Sequence, residues 1–245
     1  METAYIPREH QSVAERMQTQ VEQWQAAADR RAVFLNCYLL MTRNMLAAVE
    51  AGEFHDGAWV SMLLHRFADY YFDALAEYEQ GDPAVPPIWR ITHDAALQSE
   101  TAVLQHLMLG VNAHINYDLV LAVAELMAAE WPGYSEDIRR LRYEDYCEVN
   151  AVVARTLDAV QDRVVETLAP WLAIVDTVLG PLDEGLASWL ITRWRDEVWG
   201  QAVRLIEAPE PAAREQLRRQ VEAATVERAK AILLQDGPVG IARLL

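Results

Sequence analysis

Cysteine is nearly absent: Cys37 and Cys147 are the only two in 245 residues. Two cysteines make no disulfide framework, and without a Cys-x-x-Cys pair there is no thiol-based zinc or redox site to read. Their helical, apolar flanks predict small core residues. Positive charge is also scarce, with 21 Lys and Arg against 37 Asp and Glu and a net charge of −16. Such a chain repels phosphate backbones and anionic lipids, so neither nucleic acid nor a membrane is expected as a partner. No apolar run reaches spanning length. The most apolar stretch, Leu119 to Ala129, is about half a membrane span, and Glu125 interrupts it. Met1 to Gln11 is polar and lacks the apolar core of a secretory signal, so a cytoplasmic location is expected. No segment alternates apolar with polar residues, which excludes a sheet. There is no Gly-x-Ser-x-Gly elbow, no phosphate-binding glycine loop and no dinucleotide fingerprint, so nucleophilic serine catalysis and nucleotide binding have no support.

What is present is apolar and helical. Hydrophobic residues make up 52% of the chain, with eight Trp and nine Tyr, enough for one sizeable core. Gly and Pro fall between apolar-periodic segments, where helix ends belong. Ser12 with Glu15 forms a capping-box pattern opening a helix to about residue 28. Further helices are predicted over about 30–51, stopping at Gly52, and about 56–80, stopping at Gly81. A short one over about 88–99 precedes a long one over about 101–130, which ends before Pro132-Gly133. Ser135 caps a sixth to about 168, a short seventh lies between Pro170 and Gly180, and an eighth covers about 183–207. A last, highly charged helix over about 211–235 starts at Pro211 and reads as a solvated outer helix or a dimer contact. The expectation is one all-α domain over 1–245, a bundle-like array of eight or nine helices with its core over about 25–207. The helix over about 101–130 should lie at its centre, packed on the third.

That central helix is apolar nearly all round yet carries His106, Asn112, His114, Asn116 and Asp118. His114 and Asp118 are four apart and share a face with Leu107, Val111, Leu121 and Ala122. A carboxylate there must be paired, hydrogen-bonded or metal-bound. The third helix repeats the spacing with His65 and Asp69, on a face with Ala58, Met62, Phe72 and Ala76 that is predicted to face the core. If the two helices are neighbours, His65, Asp69, His114 and Asp118 could converge on a divalent ion such as Zn, Fe, Mn or Ni. The same groups could equally form a metal-free buried polar network. Asn112 and Asn116 lie on another face, suited to bonding a neighbouring helix, lining a cavity or serving as catalytic polar groups. Arg43 and Arg193, on otherwise apolar helices, could orient an anionic substrate or act as helix-end ion pairs. His93 and Glu100 share a face near Trp89, while Tyr143, Tyr146 and Asn150 share one side of the sixth helix. His10 and His55 fall at predicted ends or loops.

The segment Leu109-Gly-Val-Asn-Ala-His-Ile-Asn-Tyr-Asp-Leu119 resembles the signature of a bacterial family of unknown function. Phe67-Ala-Asp-Tyr-Tyr-Phe72 and the Trp89 region are similar to the same family, over roughly residues 25–205. That resemblance implies no particular chemistry. The His-x-x-x-Asp units also resemble, more distantly, the ligand style of helical zinc-dependent phospholipases C and single-strand nucleases. Those enzymes use more histidines and an N-terminal Trp ligand and are secreted; this chain matches none of the three. Three functions remain in play: a metal-dependent, hydrolase-like enzyme; a metal-free enzyme or small-molecule-binding protein with a buried polar and aromatic pocket; and an interaction protein using the charged last helix.

Overall fold

Helix-ending glycines fall where the sequence puts them. Gly52 and Gly81 take φ of 75° and 68°, the left-handed region that a side chain disfavours. Each closes its helix with the paired bonds of a Schellman stop: Glu53 N–H to Ala48 O and Gly52 N–H to Val49 O at the first, Asp82 N–H to Glu77 O and Gly81 N–H to Tyr78 O at the second. The computed structural model describes residues 13–164 and 184–234. Its elements are α1 (Val13–Ala26), α2 (Ala32–Glu50), α3 (Gly57–Gln80), α4 (Pro87–Ala96), α5 (Val103–Ala113), α6 (Leu119–Ala128), α7 (Glu136–Val164), α8 (Glu184–Glu207) and α9 (Pro211–Leu233). A π-helical turn, His114–Asp118, joins α5 to α6. There is no strand among the described residues, and the fold is all-α. Ser12, His10 and the short helix expected between Pro170 and Gly180 lie outside the described residues.

The run α5–π turn–α6 is the axis. It packs on α2, α3, α4, α8 and α9. A single cluster of buried side chains extends from Val13 to Ile232. The α9 helix is more than a solvated strap: Val221, Thr225, Ala229 and Ile232 form a buried stripe at helical spacing, and the helix packs on α4 and α5. Gln105 satisfies two helix ends at once, accepting from Ala102 N–H at 2.8 Å and donating to the Ile232 and Leu233 carbonyls at 3.2 and 3.3 Å. Asp56 caps α3 through Trp59 N–H at 3.0 Å, and the buried Asp145 of α7 accepts from the His55 and Asp56 amides just before it.

Two sequence expectations change. Val103–Ala128 runs as one helical rod of 26 residues, so it and Ala32–Glu50 are long and apolar enough, by length and composition, to cross a membrane. Within this fold 78% and 50% of those windows are buried against other helices. The core face of α3 is Trp59, Leu63, Phe67, Tyr71 and Leu75, whereas Ala58, Met62 and Ala76 are exposed. The expected stripe through His65 is therefore only partly a core face: Asp69 and Phe72 on it are buried, His65 is half-buried, and its two ends open to solvent.

Candidate functional site

The π turn sets the geometry of the interior polar groups. Its closing bond runs from Leu119 N–H to the His114 carbonyl, five residues back, so one residue more than an α-turn holds is inserted between α5 and α6. His114 opens this turn and Asp118 ends it. His114 Nδ1 is 2.9 Å from Asp118 Oδ2. From α4, Trp89 Nε1 donates to both Asp118 oxygens at 3.0 and 3.1 Å. All three side chains are buried, Trp89 and Asp118 almost completely.

Aromatic rings wall the His114 imidazole. Phe67 lies flat on it, centroids 3.5 Å apart and planes 7° from parallel. Tyr38 meets it at 4.2 Å, and Phe34, Tyr71 and Trp89 stand about one ring further out, at 5.9, 6.1 and 6.2 Å. These rings come from α2, α3 and α4, so three helices enclose a dyad carried by the fourth. The His114 Nε2 atom is buried without a hydrogen-bond partner, and so is the Tyr71 hydroxyl. An unpaired buried polar atom costs about 1–3 kcal/mol, so two on one aromatic wall are unusual.

Burial governs the protonation. It pushes the Asp118 carboxyl well above the usual carboxylate range, against the opposing pull of the Trp89 N–H. It pushes the His114 imidazole well below its usual range. Both shifts favour neutral groups, so the pair holds one proton between Oδ2 and Nδ1 and carries no net charge. In the neutral pair Asp118 carries the proton on Oδ2 and Nε2 bears the imidazole hydrogen and donates; Nε2 becomes a base only after the pair has given up one proton, with the other then on Nδ1. The neutral dyad can thus give a proton from Nε2 as Asp118 passes its own to Nδ1, and recover it by the reverse steps.

The other expected ligands do not join this pair. His65 is half-buried and its Nδ1 lies 2.8 Å from the Ser61 carbonyl of its own helix. Asp69 faces α1, with Arg16 Nη1 at 3.5 Å. Among the described residues no three His, Cys, Asp or Glu side chains converge as metal ligands would. A transition ion takes three or four protein donors, whereas here one imidazole nitrogen is free and the neighbouring carboxylate already accepts from Trp89. The expected convergence of His65, Asp69, His114 and Asp118 is therefore not formed among the described residues: His65 bonds the carbonyl of its own helix and Asp69 turns to Arg16 of α1.

Asn112 and Asn116 lie on the α9 side of the rod. Asn116 Nδ2 donates to Asn112 Oδ1 at 3.1 Å, and Asn112 Nδ2 donates to the Thr225 carbonyl at 3.0 Å. Arg43 is exposed and donates to Gln18 Oε1 at 3.0 Å; Arg193 is exposed beside Glu197 at 3.7 Å. The interior arginine is instead Arg195. It donates to Asn150 Oδ1 at 2.6 Å and to the Tyr146 carbonyl at 3.0 Å, with its guanidinium 4.3 Å from the Tyr146 ring centroid. Tyr146 is fully buried and donates back to the Arg195 carbonyl at 2.7 Å, while Tyr143 is exposed. Glu100 lies past the end of α4 and is exposed, so it shares no helix face with His93. His93 is buried and stacks on Trp89 at 5.4 Å. His55 is exposed, 3.4 Å from Glu144.

Trp89 as the Asp118 partner is the residue that sequence reading missed; its only signal was a tryptophan one turn before His93. The fold and this site define an all-α protein built around a buried His–Asp–Trp constellation. A family described as "Family of unknown function (DUF5995)" matches residues 10–235, and the chain belongs to it. No curated protein and no solved structure matches the chain.

Proposed function

We propose that this chain binds a small, uncharged, flat organic molecule against the aromatic wall around His114, with the His114–Asp118 dyad as its polar anchor and proton-transfer group. The observation that carries this reading is the unpartnered His114 Nε2, held in orientation by Asp118 at Nδ1 in a dry, aromatic setting. Binding sites for organic molecules are mostly apolar with a few convergent polar groups, and that is the composition here. The neutrality of the dyad disfavours a charged ligand, which would be desolvated with no counter-charge beside it. Tyr71 O–H supplies a second donor on the same wall.

A metal-dependent hydrolase in the style of the zinc phospholipases is the second reading. It is favoured only by the carboxylate on His114 Nδ1, which is how metal-binding imidazoles are commonly oriented. The two readings separate in one experiment. Protein labelled with nitrogen-15 is titrated with neutral aromatic fragments such as phenol and indole, and separately with Zn, Mn, Fe and Ni salts, following the Trp89 indole and His114 ring signals. Fragments should move both signals in the wild type. They should bind at least tenfold more weakly to His114→Phe, which keeps the ring stack and removes both nitrogens. Unchanged fragment affinity in a folded His114→Phe would sink the proposal. Metal-induced shifts with Nε2 metallated, and none from the fragments, would favour the hydrolase.

A further inference from the structure

A π turn in the middle of a buried rod has to be held, because an uninterrupted α-helix of the same residues keeps its bonding ladder regular. Here the holding groups come from α9 on the side opposite the aromatic wall. Asn116, inside the turn, donates to Asn112 Oδ1 at 3.1 Å, one turn earlier. Asn112 passes the connection on through Nδ2 to the Thr225 carbonyl at 3.0 Å. Thr225 Oγ1 returns it, 3.3 Å from the Asn116 carbonyl, while sharing its single proton with the Val221 carbonyl at 2.8 Å. Asn112 and Thr225 are 0% and 1% exposed, and Asn116 is 6% exposed. Buried bonds of this kind have no water to replace them.

We infer that the Asn112–Asn116–Thr225 clasp positions His114, Asp118 and Trp89 by fixing the π register, so that α9 controls the geometry of the dyad. One residue more or less in the turn rotates everything beyond it by about 100° about the rod axis. Asp118 ends the turn, so loss of the π register carries its carboxylate away from the Trp89 N–H and from His114 Nδ1. His114 and Asn116 face different neighbours, α3 on one side and α9 on the other, which is why a residue of α9 that touches neither dyad member still sets their distance. The functional consequence rests on the small-molecule reading; the clasp itself does not.

The test uses two variants of the full chain. Thr225→Val keeps the volume and removes the hydroxyl, and Asn116→Ala removes the link inside the turn. Measured without ligand, both should shift the Trp89 indole N–H resonance away from its carboxylate-bonded position and speed exchange of the Leu119 amide by about tenfold, the loss of one buried hydrogen bond. Thr225→Ser, which restores the hydroxyl, should return both signals to wild-type values. An unmoved indole resonance and unchanged Leu119 exchange in Thr225→Val and Asn116→Ala would overturn the clasp, whatever fragments do. Shifted signals together with an absence of any fragment binding would leave the clasp standing and remove the ligand reading.

Discussion

Gly110→Ala should destabilise the protein by roughly 2–3 kcal/mol, although alanine is the better helix former by about 1 kcal/mol. The reason is the approach of α2. A Cβ built on Gly110 would lie 2.4 Å from Phe34 Cδ2 and Cγ and 2.9 Å from Phe34 Cβ. Rotation about χ1 moves the ring atoms aside, but the Phe34 Cβ is fixed to the backbone, so α2 and α5 must separate. That separation reaches the site, since Phe34 and Tyr38 on α2 both face the His114 ring. Gly200 is the internal control: it lies in α8, and an added Cβ there meets nothing within 4 Å. Gly200→Ala should therefore stabilise, by about 0.5–1 kcal/mol. Opposite signs for the same chemical change at two helical glycines, read from urea midpoints, would establish the close approach. A Gly110→Ala protein as stable as Gly200→Ala would show that α2 does not sit on that glycine. Combining Gly110→Ala with Phe34→Gly should cost less than the sum of the two by about 1 kcal/mol or more, because glycine at 34 removes the Cβ as well as the ring.

The all-α fold and the central position of the 101–130 segment were legible because glycine and proline punctuate the chain and because an apolar surface all round one helix leaves it nowhere but the middle. The His114–Asp118 contact was legible for a local reason, four residues of spacing on one face. What lay beyond one helix was less so. The α3 stripe was misjudged by about one residue's rotation: Trp59, Leu63 and Phe67 define a face as apolar as the one drawn through Met62 and Phe72, and periodicity alone does not choose between them. That choice decided whether His65 and Asp69 met His114. Arg195 was missed in favour of Arg193 for the same reason, since Trp194 and Val198 fix the buried phase of α8 and the tryptophans near both arginines obscure it. The π turn left no signature, because it is a change in backbone bonding and not in the type of any side chain. Trp89 binds Asp118 across 29 positions of sequence, a pairing that depends on how α4 docks and not on spacing within any helix. The α9 stripe was hidden in a helix whose other faces are densely charged.

Acid should loosen this fold between pH 6.5 and 5, through two buried histidines. Burial, with the Arg31 guanidinium adding to it, lowers His93 to about 3, and burial with Arg30 lowers His106 to about 4. In the unfolded chain each takes up a proton near pH 6.5, whereas in the folded chain neither does until far lower. Stability from these two groups is therefore fully present above pH 6.5 and is lost as the pH falls toward 3–4. At pH 5 the loss is about 2 kcal/mol for each, or about 4 kcal/mol together. The dyad behaves in the opposite sense. Folded, His114 and Asp118 together hold one proton; unfolded, they hold almost none above pH 6.5 and about one near pH 5. Their joint contribution adds nothing to the loss between pH 6.5 and 5, and it declines as the pH rises through the elevated range of Asp118. Asp29 and Asp56, whose carboxyls are held low by Arg31 and by the Trp59 amide with Arg142 against the cost of burial, lose their share only at lower pH. Urea midpoints at pH 7, 6 and 5 isolate the histidine window. The wild type should weaken across it, and the double variant His93→Phe, His106→Leu should hold nearly level. Parallel slopes for the two proteins would mean that His93 and His106 are already charged, or already wet, in the folded state.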